Sequence, residues 1–348
     1  MSDPVIRLQG VWKIFGMRAE GAMRAISQEG LTKAQALEQF GCVVGIADCS
    51  FEVPRGEIFC VMGLSGSGKS TMVRHINRLI EPTTGRIEVL GRDVLALGEG
   101  ELRKLRAAQI GMVFQHMALL PHRTVRDNVA FPLQVQGLPK SRRWEISQRL
   151  LNLVKLDGYE DRFPSELSGG MQQRVGLARA LASDPEILLM DEPFSALDPL
   201  IRRRLQEEFL SLSAELNKTT VFITHDLDEA VRIGNRIAIM NDGRIVQIGT
   251  PEDIVTSPID DYVRDFVEGI STLKLVFAHT IMKRIGEYRL RPGEELSQAP
   301  RATHDANLSD LIDLSTTTDQ PVVITHGGMD VGVVDKATLL KGIKGGKD

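Results

Sequence analysis

The stretch EIFCVMGLSGSGKSTMVRHINRLI, residues Glu57–Ile80, decides the fold of this chain. It begins as an apolar strand, passes through a glycine-rich loop, and continues as a helix from Ser70. Glycine allows a loop to bend tightly and to turn its backbone N–H groups toward a bound anion. The order of strand, loop and helix therefore predicts a phosphate-binding loop at Gly63–Ser70 in an α/β sheet.

The loop matches the full pattern of two glycines, a lysine and a hydroxyl residue that cradles nucleotide phosphates. Lys69 would supply a positive charge to the β and γ phosphates, and Ser70 a hydroxyl ligand for Mg²⁺. We therefore expect ATP and Mg²⁺ as cofactors, although this motif alone does not name the reaction. The residues predicted to contact ATP here are Gly63, Ser65, Gly66, Ser67, Gly68, Lys69, Ser70 and Thr71.

Two carboxylates follow the apolar run Ile187–Met190. Neighbouring residues of a strand point to opposite sides, so the two side chains should face different partners. We assign Asp191 to the Mg²⁺ shell and Glu192 to the attacking water, which it would polarise as the general base.

Two further polar residues follow strand-like runs. His225 ends the run TVFIT, and Gln115 follows the run MVF. Open α/β sheets bind ligands at the carboxyl ends of their strands, and this favours both residues as members of the site. We expect His225 to bond the γ-phosphate and hold the water in line, and Gln115 to ligate Mg²⁺.

A second candidate phosphate site lies in LSGGMQQR, Leu167–Arg174, where a serine and two glycines begin a predicted helix. The first turn of a helix has free N–H groups and the positive end of the helix dipole. A chain with one nucleotide loop needs only one such site. The stretch Leu167–Arg174 therefore needs a different explanation from the loop at Gly63–Ser70.

Short apolar strands alternate with helices and predict a mainly parallel sheet covered on both faces. Val5–Val11 is the opening strand, and residues 17–45 are a helical insertion that contains a capping box at Thr32. Residues 116–170 are a helical subdomain. Asn241–Gly243 is a hairpin turn in an antiparallel edge, and Thr250 caps a closing helix.

The composition changes after residue 270. We assign residues 1–270 to one ATPase domain, 271–300 to a linker rich in proline and charge, and 301–348 to a small α+β module. Within that module the sequence predicts a helix, two strands and a second helix.

The ordered motifs GLSGSGKS, FQ, LSGGMQQR, LLMDEPFSALD and ITHD resemble the ATP-binding subunit of an ABC transporter, a P-loop NTPase. The resemblance covers about residues 5–270. It implies a homodimer that holds two ATP molecules between its subunits, with Ser168, Gly169 and Gly170 on the partner's ATP and Asp198 at the dimer seam. It also implies an aromatic platform for adenine, which we assign to Phe15, with Trp12 as the competing candidate.

A narrower set of matches, WKIFG, the insertion and SALDPLIRRRLQ among them, resembles the ATPases of glycine betaine and proline betaine importers. That resemblance implies a separate transmembrane permease and, through it, a substrate-binding protein. Choline, carnitine and trimethylamine N-oxide remain alternative solutes. The C-terminal module resembles one CBS unit, where relatives commonly have two in tandem.

Composition limits the other classes of function. The net charge of −4, from 46 acidic and 42 basic residues, gives no electrostatic reason to expect a nucleic-acid partner. That argues against a soluble ABC ATPase of DNA repair or translation, and the lack of an apolar run of about twenty residues argues against an exporter fragment.

Three cysteines without zinc spacing and no signal peptide favour a cytoplasmic protein, peripheral on the inner face of the plasma membrane. The run Arg202–Arg204 is interpreted as a solvated helix face.

Overall fold

The computed structural model describes residues 4–115, 118–195, 197–268, 273, 275–291 and 294–343. The chain forms two compact units, Met1–Ile248 and Gly249–Asp348. Among the residues described, no helix combines the length and the apolar character needed to cross a membrane.

The first unit contains ten strands and nine α-helices in its described part. The strands are β1 (Pro4–Phe15), β2 (Val43–Pro54), β3 (Ile58–Met62), β4 (Thr84–Val89), β5 (Arg92–Asp93), β6 (Ile110–Val113), β7 (Ile187–Asp191), β8 (Thr219–Thr224), β9 (Arg236–Asn241) and β10 (Arg244–Gly249). The helices are α1 (Ala19–Glu29), α2 (Lys33–Phe40), α3 (Lys69–Ile76), α4 (Glu99–Gln109), α5 (Val125–Val135), α6 (Lys140–Leu153), α7 (Gly169–Leu181), α8 (Pro199–Leu216) and α9 (Leu227–Ile233).

The central sheet has the strand order β10-β9-β3-β8-β7-β6, and its strands from β9 to β6 are parallel. Every residue of β3, β7 and β8 is buried. Strands covered on both faces need continuous apolar sequence, and that is the pattern these runs show. The predicted mainly parallel sheet is confirmed, and it aligns the carboxyl ends of β3, β6, β7 and β8 along one edge.

A second sheet, ordered β2-β1-β4-β5, is antiparallel. Its apolar face shares one hydrophobic cluster with α3 and the central sheet. The stacked rings of Phe51 and Phe59, 5.0 Å between centroids, join the two sheets within that cluster. The same cluster contains Met72, Val73 and Ile76 of α3, the helix that follows the phosphate loop.

The predicted helical insertion is present as α1 and α2, between β1 and β2. Thr32 caps α2 through the predicted capping box with Gln35. Ala22 and Ala36 pack with Ile14 and Cys42 in a small cluster of their own. Lys33 forms an ion pair with Asp242 in the turn between β9 and β10, 3.0 Å from Nζ to Oδ2. The insertion is therefore attached close to the phosphate loop.

The second unit is a small sheet with helices on it. Its elements are α10 (Pro251–Thr256), α11 (Asp261–Val267), α12 (Ala278–Ile281), β11 (Lys283–Arg284), β12 (Arg301–Thr303), α13 (Leu308–Thr316), β13 (Val322–His326), β14 (Met329–Val334) and α14 (Lys336–Ile343). The strand order is β11-β14-β13-β12. The predicted order of helix, two strands and helix is present as α13, β13, β14 and α14, and Thr250 caps α10 as expected.

The structure differs from the predicted domain limits. The compact unit begins at Gly249 rather than after residue 300, and the predicted linker 271–300 contains α12 and β11. Val276 and Ala278 are buried in the core of this unit, and β11 pairs with β14. Proline and charge in this stretch are typical of a linker, but its few apolar residues are enough to join the module's core.

Asp335 connects that stretch to α14. Its side chain is buried and accepts hydrogen bonds from the N–H and hydroxyl of Thr338, both at 2.7 Å. Lys283 and Arg291 lie 3.3 and 2.9 Å from the other carboxylate oxygen. Burial raises the pKa of Asp335, but the Thr338 and Lys283 bonds outweigh burial and hold its pKa below the ordinary value of 3.8.

We expect Asp335→Ala to destabilise the second unit by about 2 kcal/mol at neutral pH, because it leaves the Thr338 N–H without a partner. Hydrogen exchange of the α14 amides in the full chain measures the effect. Since the folded pKa is lowered, the stabilisation is present above pH 3.8 and is lost as the pH falls through the folded pKa. Asp319→Ala, which removes a fully exposed partner of Lys336, is the matched control and should leave exchange unchanged. Equal hydrogen exchange of the α14 amides in both variants would contradict the stabilising role assigned to Asp335.

Candidate nucleotide site

The phosphate loop occupies a space that only glycine allows. Gly63 and Gly68 have φ of 154° and 99°. A β-carbon at Gly63 would lie 2.2 Å from the Met240 carbonyl oxygen, and one at Gly68 would lie 2.6 Å from the Gly45 carbonyl oxygen. The loop is thus wedged against the end of β9 and the start of β2, with its shape set by backbone on both sides.

Two buried polar groups in this loop fit a phosphate. The Lys69 ammonium donates to the carbonyl oxygens of Gly63 and Leu64, at 2.7 and 3.0 Å. Burial lowers the pKa of Lys69, and the nearby Glu192 and Asp191 carboxylates oppose that effect. The buried hydroxyl of Ser67 has no hydrogen-bond partner within the described residues. An anion with several acceptor oxygens would satisfy this hydroxyl and the lysine together.

Asp191 ends β7 and is 1% exposed. Its Oδ1 accepts a hydrogen bond of 2.7 Å from the Ser70 hydroxyl. Its Oδ2 lies 3.3 Å from Nη2 of Arg74. A hydroxyl and a carboxylate in contact fit the oxygen ligands that Mg²⁺ prefers, so the predicted pair Ser70 and Asp191 is suited to the ion.

Arg74 is a functional residue that the sequence reasoning missed. It lies four residues after Ser70 on α3, so the two side chains share one face of the helix and both reach Asp191. That spacing was a signal available in the sequence. The guanidinium pairs with the buried carboxylate and, together with the Ser70 hydroxyl, fixes its orientation.

Glu192 directly follows the last residue of β7, and its carboxylate has different partners from that of Asp191. Its φ of 46° is left-handed, which is uncommon for a residue with a side chain. Its N–H donates to the Ile223 carbonyl oxygen on β8, at 3.1 Å, and so holds the turn in place. Strained backbone at a strand end is often found where a functional side chain must be presented.

The carboxylate of Glu192 meets both of the other predicted residues. Gln115 Nε2 donates to Oε2 at 3.2 Å, and His225 Nδ1 lies 3.0 Å from the same oxygen. These three side chains follow β6, β7 and β8 in the sheet, so the parallel order brings them together. In this structure Gln115 contacts Glu192 rather than the Ser70 and Asp191 pair.

The two candidates for the adenine platform lie in different surroundings. The Phe15 ring stands over Gly45, where an added β-carbon would lie 2.7 Å from Cε2, and Gly45 is the residue that adjoins Gly68. The Phe15 ring is 40% exposed. Trp12 packs against the core of the insertion and has Arg244 over its ring. The geometry favours Phe15 because its exposed ring adjoins the phosphate loop.

The second predicted phosphate site lies on a separate surface. Ser168 is exposed and caps α7, accepting a hydrogen bond of 3.4 Å from the Met171 N–H. A β-carbon at Gly170 would lie 3.0 Å from Ile201, whose N–H bonds the capping carboxylate of Asp198. No hydrogen bond or ion pair among the described residues joins this surface to the phosphate loop.

Arg202 corrects one expectation from the sequence. Arg203 and Arg204 lie on the solvated face of α8 with Glu207 and Glu208, as predicted. Arg202 instead donates to the Leu197 carbonyl oxygen at 3.1 Å and pairs with Asp226 at 3.3 Å. It therefore joins the loop before Asp198 to the residue after His225. A run of like charges does not reveal which member turns inward.

Comparison with known proteins identifies the family. Residues 46–195 match the protein family described as "ABC transporter". The chain is similar to the glycine betaine transport ATP-binding protein OpuAA of Bacillus subtilis, with 51% identity over 84% of this chain and 70% of that protein. It is also similar to the trimethylamine N-oxide transport system ATP-binding protein TmoW of Pelagibacter ubique, with 50% identity over 82% of this chain and 83% of the relative.

Among solved structures, the chain is similar to a dimer of the ATP-binding cassette MJ0796 in a post-hydrolysis state bound to ADP and phosphate. The TM-score is 0.60 and the identity 31%, over 71% of this chain and 98% of that one.

We expect Phe15→Ala to raise the Kd for ATP about tenfold, because stacking of a base on an aromatic ring contributes about 1–3 kcal/mol. Titration calorimetry with ATP in the absence of Mg²⁺ measures binding without turnover. Trp12→Leu is the matched control, since it removes a ring but keeps apolar packing, and it should leave the Kd unchanged. A raised Kd for Trp12→Leu together with an unchanged Kd for Phe15→Ala would assign the platform to Trp12.

Proposed function

Because the chain belongs to the ABC transporter family as an ATP-binding subunit, we propose that it is the motor of an importer for glycine betaine or proline betaine. The observation that carries the ATP-hydrolysing part of this proposal is the meeting of Glu192, Gln115 and His225 at the edge where Ser70 and Asp191 also lie. That arrangement suits the hydrolysis of a nucleoside triphosphate by an activated water molecule.

The chemistry would proceed through residues already in place. Lys69 would exchange its bonds to Gly63 and Leu64 for bonds to the β and γ phosphates. Glu192 would accept the proton of the attacking water, and His225 would bond the γ-phosphate and hold the water in line. Mg²⁺, held by Ser70 and Asp191, would neutralise charge that develops on the phosphate oxygens. Gln115 is proposed as a further Mg²⁺ ligand through its amide oxygen.

Dimerisation is part of this proposal. The exposed surface formed by Ser168, Gly169, Gly170 and Asp198 presents the N-terminus of α7, whose free N–H groups favour an anion. We propose that it binds the γ-phosphate of ATP held by the partner's phosphate loop. This surface would then complete a site that one copy does not complete alone.

A groove near Gln115 suits a transmembrane permease. Its volume is about 350 Å³. It is lined mainly by apolar side chains that include Phe114, Leu120, Phe131 and Val135, of which Val135 is 63% exposed. A short amphipathic helix of a permease would bury its apolar face there. The ATPase would then work as a peripheral subunit on the inner face of the membrane, and a substrate-binding protein would supply the solute to the permease.

Nothing in the site contacts the solute, so the solute class rests on similarity. OpuAA is named for glycine betaine and TmoW for trimethylamine N-oxide, and their identities to this chain are almost equal. Trimethylamine N-oxide is therefore the second candidate, beside choline and carnitine. Glycine betaine, proline betaine and these three alternatives all carry a methylated nitrogen. We further propose that the second unit contains a single CBS-like module that serves as a structural tail.

The proposal is tested with the permease and the chain together in lipid vesicles, and with the cognate binding protein added. ATPase activity is measured with glycine betaine, proline betaine, choline, carnitine and trimethylamine N-oxide. We expect a betaine to stimulate hydrolysis at the lowest concentration. Stimulation by trimethylamine N-oxide alone would select the second candidate, and stimulation by none of the five would contradict the solute class.

We expect Glu192→Gln to lower ATP hydrolysis by at least about a hundredfold, because it removes the general base. ATP binding should persist, since the amide is isosteric and does not belong to the phosphate loop. The variant should therefore accumulate as an ATP-bound dimer, which size-exclusion chromatography with ATP detects. Normal turnover would show that another group takes the proton.

The in-trans role of Ser168 is tested in the Glu192→Gln background. Adding Ser168→Arg should abolish the ATP-dependent dimer, because a bulky cation would occupy the partner's phosphate position. Binding of ATP to the monomer should be unchanged. Ser165→Arg, an equal change at an exposed serine of the preceding turn, is the matched control and should leave the dimer intact. Loss of ATP binding to the Ser168→Arg monomer would contradict the in-trans assignment.

A further inference from the structure

A cavity of about 170 Å³ lies between α7 and α8, outside the nucleotide site. Its walls are mostly apolar and include Leu177 of α7, Met190 of β7, Phe194, and Phe209 and Leu212 of α8. Met190 directly precedes Asp191, and α7 begins beside Ser168. The cavity therefore separates the strand that carries the catalytic carboxylates from the helix that presents the second phosphate site.

One polar side chain interrupts the apolar wall. Gln173 of α7 lines the cavity and is 2% exposed. Neither its Nε2 nor its Oε1 has a hydrogen-bond partner among the described residues. Buried amides are nearly always bonded, because an unpaired donor and acceptor lose their bonds to water without replacement. An amide with both atoms unpaired beside a cavity indicates an occupant that supplies an acceptor and a donor together.

The charges at the rim are largely paired with each other. Glu208 of α8 forms ion pairs with Arg174 and Lys155, at 2.9 and 3.0 Å, and Arg174 also donates to the Val154 carbonyl oxygen. These cations are therefore engaged and do not attract an anion into the cavity. A charged occupant would also have to lose its water among apolar walls, which is unfavourable. The occupant suited to this cavity is neutral.

We propose that this cavity binds a small neutral ring compound with a cyclic amide, a lactam, whose N–H and carbonyl oxygen pair with Gln173. The volume agrees, because an apolar cavity of about 150 Å³ holds one benzene ring. The planar lactam would bond the side-chain amide through two antiparallel hydrogen bonds, while its ring packs against Phe194 and Phe209. The proposal concerns binding alone and is independent of which solute the transporter imports.

The probe is 2-pyridone, a one-ring lactam, and its matched control is 1-methyl-2-pyridone, which lacks the N–H donor. Methyl NMR of the full chain with labelled methionines reports binding, because Met190 lines the cavity whereas Met72 is buried in another cluster. We expect 2-pyridone to shift the Met190 methyl signal saturably and to leave Met72 unchanged. Its affinity should exceed that of 1-methyl-2-pyridone by about tenfold, since the control cannot make both hydrogen bonds.

Two variants test whether the Gln173 amide and the cavity account for the binding of 2-pyridone. Gln173→Leu should reduce the affinity for 2-pyridone to that of the methylated control, because the apolar wall remains and the amide is gone. Leu212→Trp should abolish binding of both probes by filling the outer end of the cavity. The proposal is overturned if Met190 does not respond to 2-pyridone, as expected for a cavity that holds water only. Equal affinity of the wild-type chain for both probes, or a preference for 2-pyridone that persists in Gln173→Leu, would also overturn it.

Discussion

The hydrogen bond from Ser70 to Asp191 is the interaction on which the nucleotide site depends. It joins the first turn of α3 to the end of β7, and Arg74 holds the other carboxylate oxygen one turn further along the helix. Asp191 is buried, so its charge is tolerated only because both oxygens are engaged. This constraint fixes the distance between the phosphate loop and the strand that carries Glu192.

The remaining catalytic geometry follows from strand order. Because β6, β7 and β8 are parallel neighbours, residues at their carboxyl ends meet although they are far apart in sequence. Asp191 ends β7, and Glu192 follows it with a left-handed backbone. The two adjacent carboxylates thereby have different partners, Ser70 and Arg74 for one and Gln115 and His225 for the other.

The loops, caps and strands that could be predicted are those that a short stretch of sequence specifies through its backbone preference or its hydrophobic pattern. The glycine loop, the capping box at Thr32 and the apolar run Ile187–Met190 of β7 could be identified from a few neighbouring residues. The linker at 271–300 could not, because its proline and charge are typical of exposed chain while two buried residues, Val276 and Ala278, decide its place. Arg202 escaped prediction for a related reason: its partner, Asp226, lies 24 residues away and caps the N-terminus of α9.

The sequence by itself determined the phosphate loop, the order of the motifs and the alternation of strands and helices, because these depend on local backbone preference and hydrophobic pattern. The tertiary structure decided which distant residues meet. It placed Arg74 on Asp191, Gln115 and His225 on the same oxygen of Glu192, and Phe15 rather than Trp12 beside the loop. It also left Gln173 unpaired at a cavity between α7 and α8. Contacts of this kind depend on the packing of whole elements, and no short stretch of sequence contains that information.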